Sequence, residues 1–552
     1  MILETFEHRA VSPFVNQKEN GKVEVTFKIG KNKLKSAKVY YGDALGLYID
    51  GKWFCKEGEF KKKGEGTHGE YWSVEMDHFT KRYRYGILLE TLEGDEYLIG
   101  EVGLIDGKDQ INQEGNGFTF NYWNDANNLN TPEWYKSINW FQIFPDRFNK
   151  VGNDNEKFAK WENLNPKSHE LYGGNIKGII AKLEYIKSLG FSGIYLTPIF
   201  ESDTSHRYNT KDYYKIDPVL GKEEDFQELI NKAHKLGLRV MLDAVYNHIG
   251  SLSDIWQDVL KNKENSRYKE WFWINDFSNL KQPNEYKEGE FQKTYPYETF
   301  SFVSEMPRLN WNNPEVTDYL LDATKKWTNM GIDGWRLDVS FIPSYDFWRK
   351  FKNCVTHINP SIVIIGEVWW DSINYLRGDM WHGVMNYPLR KIIIEYVNSE
   401  KALNDKKRFI FRFNEISYLY TPEQQWGMFN LISSHDILRA ITLFENDVEK
   451  FKLAAEMLFI MPGSTSTYYG EEIGLEGKHD PDNRKPMPWG IIRHDFKDFY
   501  REQNALKEKL TKRTSIFNRY FAKLIKGKIV IENGVDEFIF DKRLENYDAL
   551  IK

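Results

Sequence analysis

Over roughly the first 125 residues, apolar and polar positions alternate in short stretches, as in KVEVTFKI (22–29) and AKVYY (37–41), with Gly, Asn and Lys clusters between them. A period of two interrupted by turn residues marks strands with one buried face, so residues 1–125 are expected to form an N-terminal antiparallel β-sandwich. The pattern changes near Thr131-Pro132-Glu133. From Ile138 onward, apolar runs (138–144, 192–196, 239–243) alternate with amphipathic helical stretches (176–189, 223–236). That alternation is the mark of βα units around a parallel sheet.

The rhythm breaks over 249–310, a stretch rich in Trp, Tyr and charge without a clear helical period, and resumes with a helical pattern at 315–330. The break reads as an excursion domain after the third strand. Further strands are expected at 334–339, 362–366, 384–387, 429–433 and 464–469, each followed by helical sequence. Eight strands in all predict an α/β fold, a (β/α)8 TIM barrel spanning 126–511, with its chemistry at the C-terminal ends of the strands. Beyond 512 the sequence turns strand-like again, and 512–552 is expected to be a short or truncated C-terminal β domain.

Composition narrows the classes of function. Lys+Arg 75 against Asp+Glu 81 gives a formal charge of -6 with no basic tract, which argues against nucleic acid as a partner. No apolar run approaches the ~20 residues that span a bilayer, and MILETFEHRA lacks a secretory apolar core; a cytoplasmic protein without a membrane partner is expected. Cys55 and Cys354 are the two cysteines, too few for a disulfide scaffold or a zinc site. Aromatic residues make up 16% of the chain, enough to stack on sugar rings and equally consistent with a rich core.

Four expected strands end in polar clusters: DAVYNH (243–248), GWRLDV (334–339), GEVW (366–369) and SSHD (433–436). Singly, each polar residue has an ordinary explanation, capping a helix or satisfying a loop. Four clusters on separate strands of one barrel pattern converge on a mouth. Glycoside hydrolysis needs two carboxyls flanking the scissile bond, one ionised and one protonated. Period-two alternation puts Arg336 and Asp338 on one strand face, where the guanidinium is expected to keep the carboxylate ionised, as a nucleophile requires. Glu367, followed by Trp369 and Trp370, is expected to be desolvated by indole surface and to serve as general acid/base. Asp436 beside His435 is the third carboxylate.

These four segments, in this order and spacing, resemble the signature regions of the α-amylase superfamily of glycoside hydrolases. The resemblance implies Asp338 as nucleophile, Glu367 as acid/base and Asp436 as transition-state stabiliser. It also implies that Arg336, His248, His435 and Asp243 line the subsite of the cleaved glucose, that Tyr208 in SHRYNTKDYY stacks under that glucose, and that His206 helps form the same wall. MPRLN (306–310), IFPDRF (143–148), VMNYP (384–388) and DPDNRKPMPW (480–489) are similar to segments of the neopullulanase, cyclomaltodextrinase and maltogenic amylase group. Asp480 and Arg484 then fall where that group binds the non-reducing side of the substrate. The N-terminal sandwich resembles the group's starch-binding-like module, which implies a homodimer formed through that domain.

Several positions depart from the group. Ser340-Phe341-Ile342 stands where Ala-Asn-Glu is usual, on the acceptor side, and Tyr469-Gly470-Glu471-Glu472 has Glu where Asp is usual. The resemblance also implies a calcium site, on Asn149, Asn153, Asp154, Gly173 and Asn175 here. The loop is short and Asn175 replaces a carboxylate, so binding should be weakened and no cofactor is expected to be required. The function expected is retaining hydrolysis of α-1,4 bonds in α-glucans: cyclodextrins, maltooligosaccharides, pullulan or starch. The alternatives are a transglycosidase or α-1,6-glucosidase with the same covalent intermediate, and a catalytically silent glucan-binding scaffold.

Overall fold

Residues 2–18, 21–46, 48–50, 52–77, 82–105, 108–113, 116–121, 130–152 and 155–540 are described by the computed structural model. The chain divides into two compact units, one of Met1–Leu129, Lys391–Trp426 and Thr511–Lys552, the other of Asn130–Arg390 and Gly427–Leu510.

In the first unit, two antiparallel sheets face each other. One runs Val15–Gln17, Val23–Ile29, Glu70–Met76, Lys61–Glu65; the other runs Gly103–Ile105, Glu96–Gly100, Arg82–Thr91, Leu34–Asp43, Lys56–Glu59, with Phe118–Asn121 also paired to Arg82–Thr91. The period-two pattern does what it predicts: Val23, Val25, Phe27 and Ile29 from one sheet share a core with Tyr83, Tyr85, Ile87 and Leu89 from the other. Helix Leu403–Leu419 and a three-stranded antiparallel sheet, Phe521–Ile525, Lys528–Glu532 and Glu537–Phe540, belong to the same unit. Asn414 ties its three segments together, its Nδ2 donating to the Glu65 and Ala522 carbonyls at 2.9 and 3.0 Å while the Ala522 N–H donates to its Oδ1 at 2.8 Å. Tyr71 and Tyr418 stack with centroids 4.0 Å apart. Residues 391–426, read from sequence within the barrel segment, therefore group with the sandwich; amphipathic periodicity reports that a helix has a buried face, not which element buries it.

The second unit holds eight parallel strands: β1 (Asn139–Ile143), β2 (Gly193–Leu196), β3 (Arg239–Ala244), β4 (Gly334–Leu337), β5 (Val363–Gly366), β6 (Gly383–Val384), β7 (Phe429–Leu431) and β8 (Ser464–Tyr468). Their order, β6-β5-β4-β3-β2-β1-β8-β7, is closed by a parallel bridge from Met385 to Phe429. At that seam a Cβ on Gly383 would fall 1.6 Å from the Gly427 carbonyl oxygen, so only glycine lets the two backbones approach. Trp140, Tyr195, Met241, Val363, Ile365, Met385, Phe429 and Leu431 fill the interior, making the barrel a packed core.

The crossover helices follow their sequence signals. Glu223–Lys235 buries Phe226, Leu229, Ile230 and Ala233 at helical spacing, with acids in its first turn and bases in its last. Pro314–Asn329 opens with Asn313, whose side chain accepts from the Glu315 N–H, and Pro314 at its first position. The helix expected over 176–189 is two, Ile176–Ile180 and Leu183–Ser188; the apolar period continues across the break, which is why the pattern joined them. Within the excursion, Asp254–Asn262 is a helix capped by Ser253 and burying Trp256 and Val259. Two anchors in nine residues, flanked by short 3-10 turns, leave too little period to detect. The strand expected at 384–387 gives way to helix Tyr387–Val397.

Candidate active site

The four polar clusters meet at the C-terminal end of the barrel. Asp243 lies in the last two residues of β3, Arg336 and Asp338 lie in and just after β4, Glu367 follows β5, and His435 and Asp436 lie beyond β7. A cleft of about 440 Å³ opens above them, lined by charged and aromatic side chains that include Asp338, Glu367, Asp436, Tyr208, His206 and His248.

Arg336 organises the floor. Its Nη1 donates to Asp338 Oδ1 at 2.8 Å and to both oxygens of Asp243 at 2.9 and 3.0 Å, while its Nη2 lies 2.9 Å from Glu367 Oε2. One guanidinium thus sets Asp338 and Glu367 side by side. It does not dominate the ionisation of Asp338, contrary to the sequence expectation. Burial pushes that carboxyl well above the ordinary carboxylate range; Arg336 opposes the shift, and the charges of Glu367, Asp243 and Asp436 add to it.

Glu367 is held by donors instead of being walled in by indole faces. Trp369 Nε1 donates to its Oε1 at 3.1 Å, and the Val339 N–H donates to Oε2 at 3.1 Å. Val339 adopts φ 45°, a left-handed conformation costly for a β-branched residue, and this turn aims its N–H at the carboxyl. The face of Trp369 stacks on Tyr387 at 3.7 Å, and Trp370 packs against Phe341. The desolvating wall expected of the two indoles is therefore corrected: one is a hydrogen-bond donor and the other turns to Phe341.

Arg336, His435 and Asp243, expected on the wall of the glucose subsite, are buried behind it. Asp243 accepts from Tyr195 and Tyr208 hydroxyls at 2.7 and 2.9 Å in addition to Arg336, and burial raises its carboxyl above the usual range against the pull of Arg336. Gln142 Nε2 pairs with His435 Nδ1 at 2.8 Å, leaving His435 Nε2–H to donate to the Tyr208 hydroxyl at 2.5 Å, which donates on to Asp243. Tyr208 is thereby fixed while its ring stays on the cleft. Burial holds His435 well below its ordinary range, His248 near 4 and His206 near 3, so these imidazoles are neutral hydrogen-bonding groups. At the far end Arg484 pairs with Asp480 at 3.0 Å, lies 3.6 Å from Asp436 and donates from Nε to the His435 carbonyl.

The sequence reading passed over several participants. Phe300, Met306 and Phe341 line the cleft, and Gln142 and Tyr195 support it from the barrel interior. The signal for Gln142 was a polar residue inside an apolar strand; Phe300 carried none.

Of the residues assigned to calcium, Asn153 and Asp154 lie outside the described residues. Asn175 Oδ1 caps helix Ile176–Ile180 by accepting the Gly178 N–H at 2.7 Å and also faces the Val151 N–H, while the Asn149 carbonyl accepts the Asn175 N–H and the Gly173 N–H donates to Asp146. The Asn175 side-chain oxygen and the Asn149 carbonyl are thus engaged by backbone N–H groups. Among the described residues no group of three or more His, Cys, Asp or Glu converges to hold a metal ion, and no helix is long and apolar enough to cross a membrane.

A parallel eight-stranded barrel with clustered carboxyls at its mouth defines a glycosidase-like architecture, and comparison with known proteins agrees. The sequence model of the alpha amylase catalytic domain matches residues 142–528, and that of the alpha amylase N-terminal ig-like domain matches 1–124. The chain is 36% identical over 492 residues to the maltogenic alpha-amylase of Bacillus acidopullulyticus, covering 89% of this chain and 81% of the relative. It is likewise 36% identical over 493 residues to the cyclomaltodextrinase of Geobacillus thermopakistaniensis, with coverages of 89% and 81%. A solved cyclomaltodextrinase matches with a TM-score of 0.85 at 31% identity, over 98% of this chain and 91% of that one. The chain belongs to the alpha-amylase family. It is a glycoside hydrolase, similar to the enzymes named maltogenic amylase, cyclomaltodextrinase and neopullulanase.

Proposed function

We propose that the protein hydrolyses α-1,4-glucosidic bonds in cyclodextrins and maltooligosaccharides, and more slowly in pullulan or starch, with retention of configuration. The observation that carries this is the bridging of Asp338 and Glu367 by Arg336 at the floor of the cleft. Asp338 attacks the anomeric carbon as Glu367 gives its proton to the leaving oxygen; Glu367 then takes a proton from the water that cleaves the glycosyl–Asp338 ester. Asp436, with its side chain partly open to the cleft, accepts from sugar hydroxyls as the ring flattens, and Tyr208 offers a ring face beneath it. Neutral His206 and His248, which line the cleft, contact sugar hydroxyls without competing for the proton. Asp480 and Arg484 bind the non-reducing side. The assembled carboxyls weigh against a silent scaffold. Exposed Leu45, Ile49 and Phe54 on the N-terminal sandwich suit the homodimer that the resemblance implies, and a cytoplasmic site suits its two free thiols.

Product analysis with β-cyclodextrin, maltotriose, pullulan and soluble starch tests this, with Asp338→Asn and Glu367→Gln as controls. The parent should open the ring to maltose and glucose, and both variants should lose turnover by orders of magnitude while keeping the fold. Undiminished activity in either variant rejects the assignment.

A further inference from the structure

The cleft is chemically lopsided. One end carries His206 together with Asp480 and Asp436, the two carboxylates tied to each other through Arg484. Beside Glu367 the lining side chains are Val339, Phe341, Trp369 and Trp370. Trp369 has one face against Tyr387 and its N–H on Glu367 and is 41% exposed. Phe341 and Trp370 meet edge to face at 4.8 Å and 61°, with Trp370 52% exposed. The Tyr375 hydroxyl donates to the Phe341 carbonyl at 3.3 Å and steadies the pair. Connectivity keeps both rings close to Glu367: Trp370 comes three residues after it, and Phe341 two residues after Val339, whose N–H holds Oε2.

A carboxyl that protonates the glycosidic oxygen faces the departing group, so ring surface beside it meets the aglycone. We propose that Phe341 and Trp370 form a leaving-group subsite that recognises its occupant by stacking, taking an aryl group as readily as the apolar face of a glucose ring. This rests on Glu367 being the general acid. Stacking responds to ring area and offset geometry and is indifferent to the pattern of hydroxyls, so this end of the cleft is permissive where the Asp480–Arg484 end is selective.

The test compares the parent enzyme with Phe341→Asn and Trp370→Ala on p-nitrophenyl α-maltoside and on α-maltosyl fluoride, whose leaving group has no ring. In each variant the ratio of kcat/KM for the aryl maltoside to kcat/KM for the fluoride should fall by about tenfold, the scale at which a pocket discriminates by apolar contact. Equal loss on both substrates, or no loss on the aryl maltoside, overturns the proposal. Failure of the underlying reading looks different: the parent itself would leave α-maltosyl fluoride intact, and the proposal would fall with it.

Discussion

The indole N–H of Trp369 donates to Oε1 of Glu367 across 3.1 Å, so the residue after Val368 is a partner of the carboxyl and not a wall beside it. Trp369→Phe keeps a ring on Tyr387 and removes the donor alone. The donor fixes where the carboxyl sits, so its loss should lower kcat/KM about tenfold by loosening Glu367 from its position against the leaving oxygen. An unchanged kcat/KM would assign Trp369 to packing only.

Asp338 sets the acid limb of the pH–rate profile. Burial raises its carboxyl well above the ordinary range, and it must lose its proton before it can attack. Activity should therefore rise with pH through a midpoint above the ~4 of a free aspartate. Measuring kcat/KM from pH 4 to 9 checks this; a plateau already reached at pH 4 contradicts it.

Buried acid away from the cleft makes a prediction about stability. Burial raises Glu472 from 4.5 to about 7, although its oxygens accept from the Gly470 N–H and the Tyr185 hydroxyl. The folded state binds that proton more tightly than the unfolded chain, so stability is lost as pH rises from 4.5 to about 7. Glu472→Gln removes the penalty: at pH 8 the variant should be more stable by about 3 kcal/mol, and at pH 5 the gain should shrink toward zero. Thermal unfolding at the two pH values decides, and an equal effect at both would show that the side chain acts through packing.

What the sequence disclosed and withheld follows physical lines. Strand ends bearing charge are legible because apolar period and polar interruption are both local, and DAVYNH, GWRLDV, GEVW and SSHD converge in the structure as their spacing implied. Depth is not local. Nothing in GWRLDV tells that Arg336 is sealed behind the cleft while Asp338 opens onto it, because the difference is made by Tyr208 and His435 arriving from other loops. The balance between burial and Arg336 at Asp338 was misjudged for the same reason: alternation gives the pairing, while desolvation depends on every neighbour at once. Phe300 reached the cleft from a stretch with no period to read.

The sandwich unit is assembled from three stretches of chain, with Asn414 fastened to Glu65 and Ala522, Tyr71 stacked on Tyr418, and Arg519 donating to the Ser417 and Tyr420 carbonyls. A ribosome delivers residue 65 long before residue 522, and domains ordinarily fold in turn as they emerge. The Glu65 carbonyl and its partner Asn414 are separated by 349 residues, so the sheets built from the opening stretch are made long before the helix that fastens onto them. Closing that contact is a loop closure across the whole barrel segment, the kind of non-local step that slows folding.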